Sequence, residues 1–114
     1  MAWFNADDKM HSHPKSRVAG LEAMGLWLLA GTYCADYLTD GHVPDYYVDS
    51  WPKGKQLARK LVQARYWQMA DGGYQFLSWA EYQRTKAQVE IDKTKARERK
   101  AEWRRHKNGT PEDR

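Results

Sequence analysis

"WPKGKQLARKLVQARYWQMADGGYQF", residues 51–76, changes its hydrophobic period midway, and that change decides the fold. From Lys53 onward Leu57, Ala58, Leu61, Val62 and Ala64 recur at helical spacing, and Lys53, Lys55, Gln56, Arg59, Lys60 and Gln63 fill the other side. That pattern predicts an amphipathic helix over 53–63. Then Trp67 and Met69 alternate with polar neighbours before Asp71-Gly72-Gly73, and Tyr74 and Phe76 alternate after it. Period-two apolar residues on both sides of a glycine-rich turn predict a β-hairpin.

Upstream, Tyr47, Val48 and Trp51 lie at helical spacing after Pro44 and Asp45. Proline suits a first helical position, and an acidic side chain suits the positive end of the helix dipole. Pro52 stops this short helix by disfavouring helical geometry at Trp51. Two short helices joined by a tight turn, the second basic on one side, give a helix-turn-helix outline, and the hairpin after it gives the outline of a winged helix. His42-Val43 leaves room only for a brief extended piece before them.

The most apolar part of the chain precedes this unit. Residues 23–31 hold no polar side chain, and Leu21, Met24, Leu28, Gly31, Ala35 and Leu38 recur at gaps of three and four. That row reads as the buried face of a helix, with Gly25, Ala30 and Gly31 admitting a close neighbour and Thr39-Asp40-Gly41 ending it. Nine residues fall far short of the roughly 20 that span a bilayer. The N-terminus also lacks a basic stretch ahead of an apolar one, so no signal peptide is expected.

A chain of 114 residues has room for one modest core. Its net charge of +4 hides an asymmetry: residues 1–83 hold 8 Lys or Arg against 9 Asp or Glu, whereas residues 84–107 hold 10 against 4. The expected organisation is a winged helix-turn-helix head over 1–83, a basic helical arm over 84–107 and a tail over 108–114. Thr85 and Gln88 have the spacing of a capping box, and Asn108-Gly109 is a stop signal. Only Val89, Ile91 and Trp103 are large and apolar in between, so the arm is expected either to project from the head or to touch it only near its start. The fold class is mainly α with a small β-hairpin.

DNA presents rows of phosphates and base edges recessed in a groove, so a binder needs cations on one surface and long polar side chains on an element that enters the groove. Lys53, Lys55, Gln56, Arg59, Lys60 and Gln63 form one such set. Lys93, Lys95, Arg97, Arg99, Lys100, Arg104, Arg105 and Lys107 form a second, where like charges four residues apart repel and a polyanion would relieve them. Solvated helix faces, or for the arm half of an oligomer contact, are the plainer readings of the same residues.

No catalytic constellation is present. Ser12, Ser50 and Ser78 lie in no nucleophile motif, and the carboxylates are scattered. His11 and His13 lack a third ligand at a recognisable spacing, so neither a metal nor another cofactor is expected. His42 reads as a turn residue and His106 as part of the arm. Cys34, the one cysteine, reads as a small core residue in a reducing cytoplasm.

"MAWFNADDKMHSHPKSRVAG", "AMGLWLLAGTYCADYLTDGHVPD" and "GGYQFLSWAEYQRTKAQVE" resemble stretches of small helix-turn-helix or replication-initiation-like proteins of actinobacterial phages and prophages. The head is similar to the winged-helix N-terminal domain of DnaD-like phage replisome organisers. The resemblance covers residues 1–92 and implies double-stranded DNA binding in phage replication or its regulation, in the cytoplasm of a bacterial host. It implies a recognition helix over 53–63, a wing tip at Asp71-Gly72-Gly73, and an N-terminal strand containing Trp3 and Phe4 that aids homodimer formation. The chain departs from replisome organisers in ending on a charged helix where they continue into a second domain. An excisionase-like architectural factor is a second DNA-binding reading, and an adaptor that binds a host or phage protein through head or arm is the reading from a different class.

Overall fold

The computed structural model describes residues 3–108. The 108–114 tail and the stop at Gly109 thus lie almost wholly outside the described residues. After an extended start and a single 3-10 turn at Met10–Ser12, the helices are α1 (Pro14–Ala19), α2 (Leu21–Tyr37), α3 (Asp45–Asp49), α4 (Gly54–Gln63), α5 (Trp79–Tyr82) and α6 (Lys86–Asn108). Strand β1 (His42–Pro44) falls between α2 and α3, and β2 (Trp67–Ala70) and β3 (Gly73–Phe76) follow α4. They form one antiparallel sheet in the order β1-β3-β2.

The hairpin has the expected register, with Trp67 opposite Phe76 and Ala70 opposite Gly73. Only Asp71-Gly72 forms its two-residue turn, with Gly72 at φ 75°. Gly73 is instead a strand residue, and a Cβ there would strike the Val43 carbonyl of β1. Met69 shares a face with Trp67 but lies beyond the core and is 67% exposed.

Helix α2 crosses the sheet and α4, and α1 packs on both helices. It buries Ala23, Leu26, Trp27, Ala30, Gly31 and Cys34. The expected face was Leu21, Met24, Leu28, Gly31, Ala35 and Leu38, yet Leu21 is 92% exposed and Leu28 48%. Because the helix is apolar nearly all round, its periodicity could not select a side. Aromatic packing selects it: the Trp27 ring lies 4.8 Å from Phe4, 5.8 Å from Tyr66 and 6.2 Å from Phe76. The small-residue reading divides in the same way. Gly31 is overlaid by the Phe4 ring, whereas Gly25 faces open space.

Phe4 thereby corrects a second expectation, that Trp3 and Phe4 belong to a strand. Neither does. The Phe4 ring completes a cluster with Trp79 and Phe76, at 5.8 Å and 5.7 Å, and fills the space above Gly31, where it leaves water for aromatic neighbours. Reciprocal hydrogen bonds hold the segment there: the Asn5 N–H donates to Gln83 Oε1 at 2.8 Å, and Gln83 Nε2 donates to the Asn5 carbonyl at 2.7 Å.

Helix α1 has no counterpart in the sequence reading. Pro14 occupies its first turn and His13 caps it, Nδ1 accepting from the Lys15 N–H at 3.1 Å. Proline at that position was the available signal. The described residues contain no helix long and apolar enough to cross a membrane.

Candidate nucleic-acid interface

The turn between α3 and α4 sets the direction of α4. Pro44 caps α3 from its strand and stands one position ahead of the first turn, where Asp45 lies. Residues 50–53 then turn sharply: the Trp51 N–H donates to the Val48 carbonyl at 3.1 Å and the Gly54 N–H to the Trp51 carbonyl at 3.0 Å. Lys53, expected as the first helical residue, is the N-cap at φ 60°. A Cβ on Gly54 would run into the Val48 carbonyl. The glycine therefore permits the close approach of α4 to α3, a requirement that hydrophobic periodicity does not register.

Helix α4 turns Gly54, Leu57, Ala58 and Leu61 inward, and Leu61 is fully buried. Lys53, Lys55, Gln56, Arg59, Lys60 and Gln63 are all exposed. Gln56, Arg59 and Gln63, at gaps of three and four, run along the middle of that outward face, with Lys55 and Lys60 on its flanks. Two of the lysines have acidic neighbours, Lys53 with Glu22 at 3.8 Å and Lys55 with Asp49 at 3.9 Å. All four side chains are well exposed, so each pair contributes little and a stronger anion can displace it. Arg59 and Lys60 enter none of the ion pairs among the described residues.

Acids also stand close behind this face. Burial first, and then the Asp45 and Asp49 carboxylates, raise the Tyr74 phenol above its ordinary value, with Arg59 opposing. The hairpin beside it carries no Lys or Arg, and its turn holds Asp71. The exposed side chains that the hairpin presents are Gln68, Met69 and Asp71. Lys15 and Arg65 were passed over in the sequence reading. Lys15 Nζ donates to the Arg65 carbonyl at 3.4 Å and lies 5.4 Å from the centre of the Tyr66 ring, which brings its charge to the backbone just after α4.

Helix α6 carries the second basic set. Thr85 and Gln88 form the expected capping box, each side chain accepting the other's backbone N–H, at 3.0 Å and 3.2 Å. The Lys86 N–H donates to Asp40 Oδ1 at 2.7 Å, and Arg84 pairs with Asp92. Val89, Asp92, Lys93 and Ala96 face Ala35 and Asp36 of α2 across a groove. Beyond Ala96 the helix leaves the head, and the molecule extends 65 Å along its longest axis. Lys93, Arg97, Lys100, Arg104 and Lys107 follow at gaps of four, three, four and three, a single row about 21 Å long. Glu98 and Glu102 fall on the far side of the helix. Lys95, Arg99 and Arg105 lie off the row, so the structure places the two basic sets on separate elements and subdivides the second.

The remaining candidates are placed plainly. His42 is the first residue of β1, opposite Gln75. No group of three or more His, Cys, Asp or Glu that could hold a metal occurs among the described residues. Cys34 is buried, and burial pushes its thiol up to about 11. A thiol held protonated in this way is a poor nucleophile at neutral pH. No protein-family description, curated protein or solved structure matches the chain.

Proposed function

We propose that the protein is a non-enzymatic, cytoplasmic binder of duplex DNA, with α4 in the major groove and α6 along the phosphates. The observation that carries this reading is the outward face of α4. Gln56, Arg59 and Gln63 have the reach and hydrogen-bonding capacity to read base edges, and flanking lysines suit the neighbouring phosphates. The element order around α4 supports it: helix, strand, helix, helix and two strands, with the first strand closing the hairpin into a sheet, is the order of a winged helix-turn-helix. The resemblance to phage proteins extends the proposal to phage DNA replication or its regulation, with an excisionase-like architectural role as its nearest variant.

The adaptor is the second reading, and the acidic hairpin turn with the two acid-paired lysines favours it. Fluorescence anisotropy with random and phage-origin duplexes over a salt series separates the two. A DNA binder gives an affinity that falls steeply with salt, because each neutralised phosphate releases counterions. Absence of binding to every duplex at low salt would remove the DNA reading and leave the adaptor.

A further inference from the structure

Two rows of the surface are covered only at one end by the described residues of their own chain, where Thr32 of one and Val89 and Ala96 of the other line the same groove. The first lies on the outward side of α2, where Leu21, Gly25, Leu28 and Thr32 follow at gaps of four, three and four, all exposed. Gly25 is the unusual member. Glycine weakens a helix interior, yet a Cβ at this position would meet nothing within 4 Å. Packing within the chain therefore gives no reason for it. A notch between two leucines does suit a large side chain arriving from outside.

The second row lies on α6, where Val89, Ala96 and Trp103 follow at intervals of seven. Val89 and Ala96 face the groove beside α2. Trp103 continues the row beyond the head and is 60% exposed, with Lys107 Nζ 4.8 Å from its ring centre. Nothing within the helix bends it back toward its own α2. No Gly or Pro interrupts residues 86–108, and the helix is continuous.

Charge and length match between the two rows. Helix α2 carries no Lys or Arg; of its two acids Glu22 lies within residues 21–32 and pairs with Lys53, and Asp36 lies beyond them at the groove beside α6. Residues 97–107 carry Arg97, Arg99, Lys100, Arg104, Arg105 and Lys107 against Glu98 and Glu102. Arm against arm would oppose like charges, whereas residues 21–32 present the arm with no cation and one carboxylate, Glu22. Residues 21–32 and 97–107 each span about 15 to 17 Å of helix.

We propose that two copies of the chain pair by exchanging arms, residues 97–107 of each lying along residues 21–32 of the other, with Trp103 over Gly25 between Leu21 and Leu28. The contact occurs twice about a two-fold axis, as in closed homodimers generally. Arg97 and Arg104 lie beside the apolar row and not in it, so they stay at the edge of the contact. The pairing stands independently of DNA binding.

Sedimentation velocity over a range of concentrations, on the parent, Leu21→Lys and Trp103→Glu, tests it. The expected result is a parent dimer and two monomeric variants with thermal melts like the parent's, since both side chains are exposed. If Leu21→Lys fails to fold, Gly25→Gln replaces it. Mixing the α2 variant with Trp103→Glu should partly restore a dimer, because the mixed pair keeps one intact arm on one intact α2. A monomeric parent at every concentration overturns the proposal. So does loss of the dimer in only one variant, which would mean arm-on-arm or α2-on-α2 pairing, and so does a mixture that stays monomeric.

Discussion

Helices α4 and α6 carry the same kinds of cations but are fixed in opposite ways. Helix α4 buries Leu57, Ala58 and Leu61 and touches α1, α2, α3 and β2, so its outward side chains are set by the core beneath them. Helix α6 is held by its first three turns, through the capping box, the Lys86–Asp40 hydrogen bond and Val89. A face anchored on every side can present donors at fixed positions, as reading a base edge demands. A row anchored at one end can still follow phosphates, because attraction between charges tolerates displacement.

The widest separation between the two should appear in stability. Leu61→Ala removes a fully buried side chain from beneath α4 and is expected to cost roughly 2 to 5 kcal/mol. Removing residues 89–114 deletes almost the whole arm and should leave the head's thermal melt nearly intact. Comparable losses in the two melts would mean that the arm is as much a part of the core as α4.

In DNA binding the contrast should reverse in kind. Gln56→Ala and Arg59→Ala together should flatten the preference for target over random duplex, each lost base contact costing about 1 to 3 kcal/mol. The truncated chain should bind every duplex more weakly and with a shallower salt slope, while keeping its preference. Anisotropy titrations of both variants over one salt range check this. Preference lost on truncation and kept in the Gln56/Arg59 variant would make the arm the reader.

The smallest expected effect concerns the anchor of α6. Thr85→Ala removes the cap hydrogen bond to the Gln88 N–H and should cost about 1 kcal/mol of helix stability. Amide hydrogen exchange should quicken in the first turns of α6 and stay unchanged in α4. Equal quickening in both would show that the two helices open as one unit.

What could be read beforehand from the chain follows the distance over which each feature is determined. The hairpin, the inward and outward sides of α4, the capping box at Thr85 and the buried Cys34 all have local signals: alternation, helical spacing, a four-residue motif, an apolar neighbourhood. The proposed interface on α4 was legible for the same reason, since a helix with one apolar side has only one side left for its cations. The residues missed there, Lys15 and Arg65, come together from positions 50 apart. No local pattern joins them.

By itself, then, the sequence determined where α2, α3, α4, α6 and the hairpin lie and which side of α4 meets water, because those follow from hydrophobic period and turn chemistry within a few residues, whereas the short α1 and α5 went unread. Tertiary structure alone decided which side of the all-round apolar α2 is buried, since Trp27 had to meet Phe4, Tyr66 and Phe76 from three other parts of the chain. It also decided that Phe4 fills the core instead of a strand, and that Gly54 is needed where α4 passes the Val48 carbonyl. Each of these depends on two surfaces competing for the same space. That competition does not exist until the elements pack.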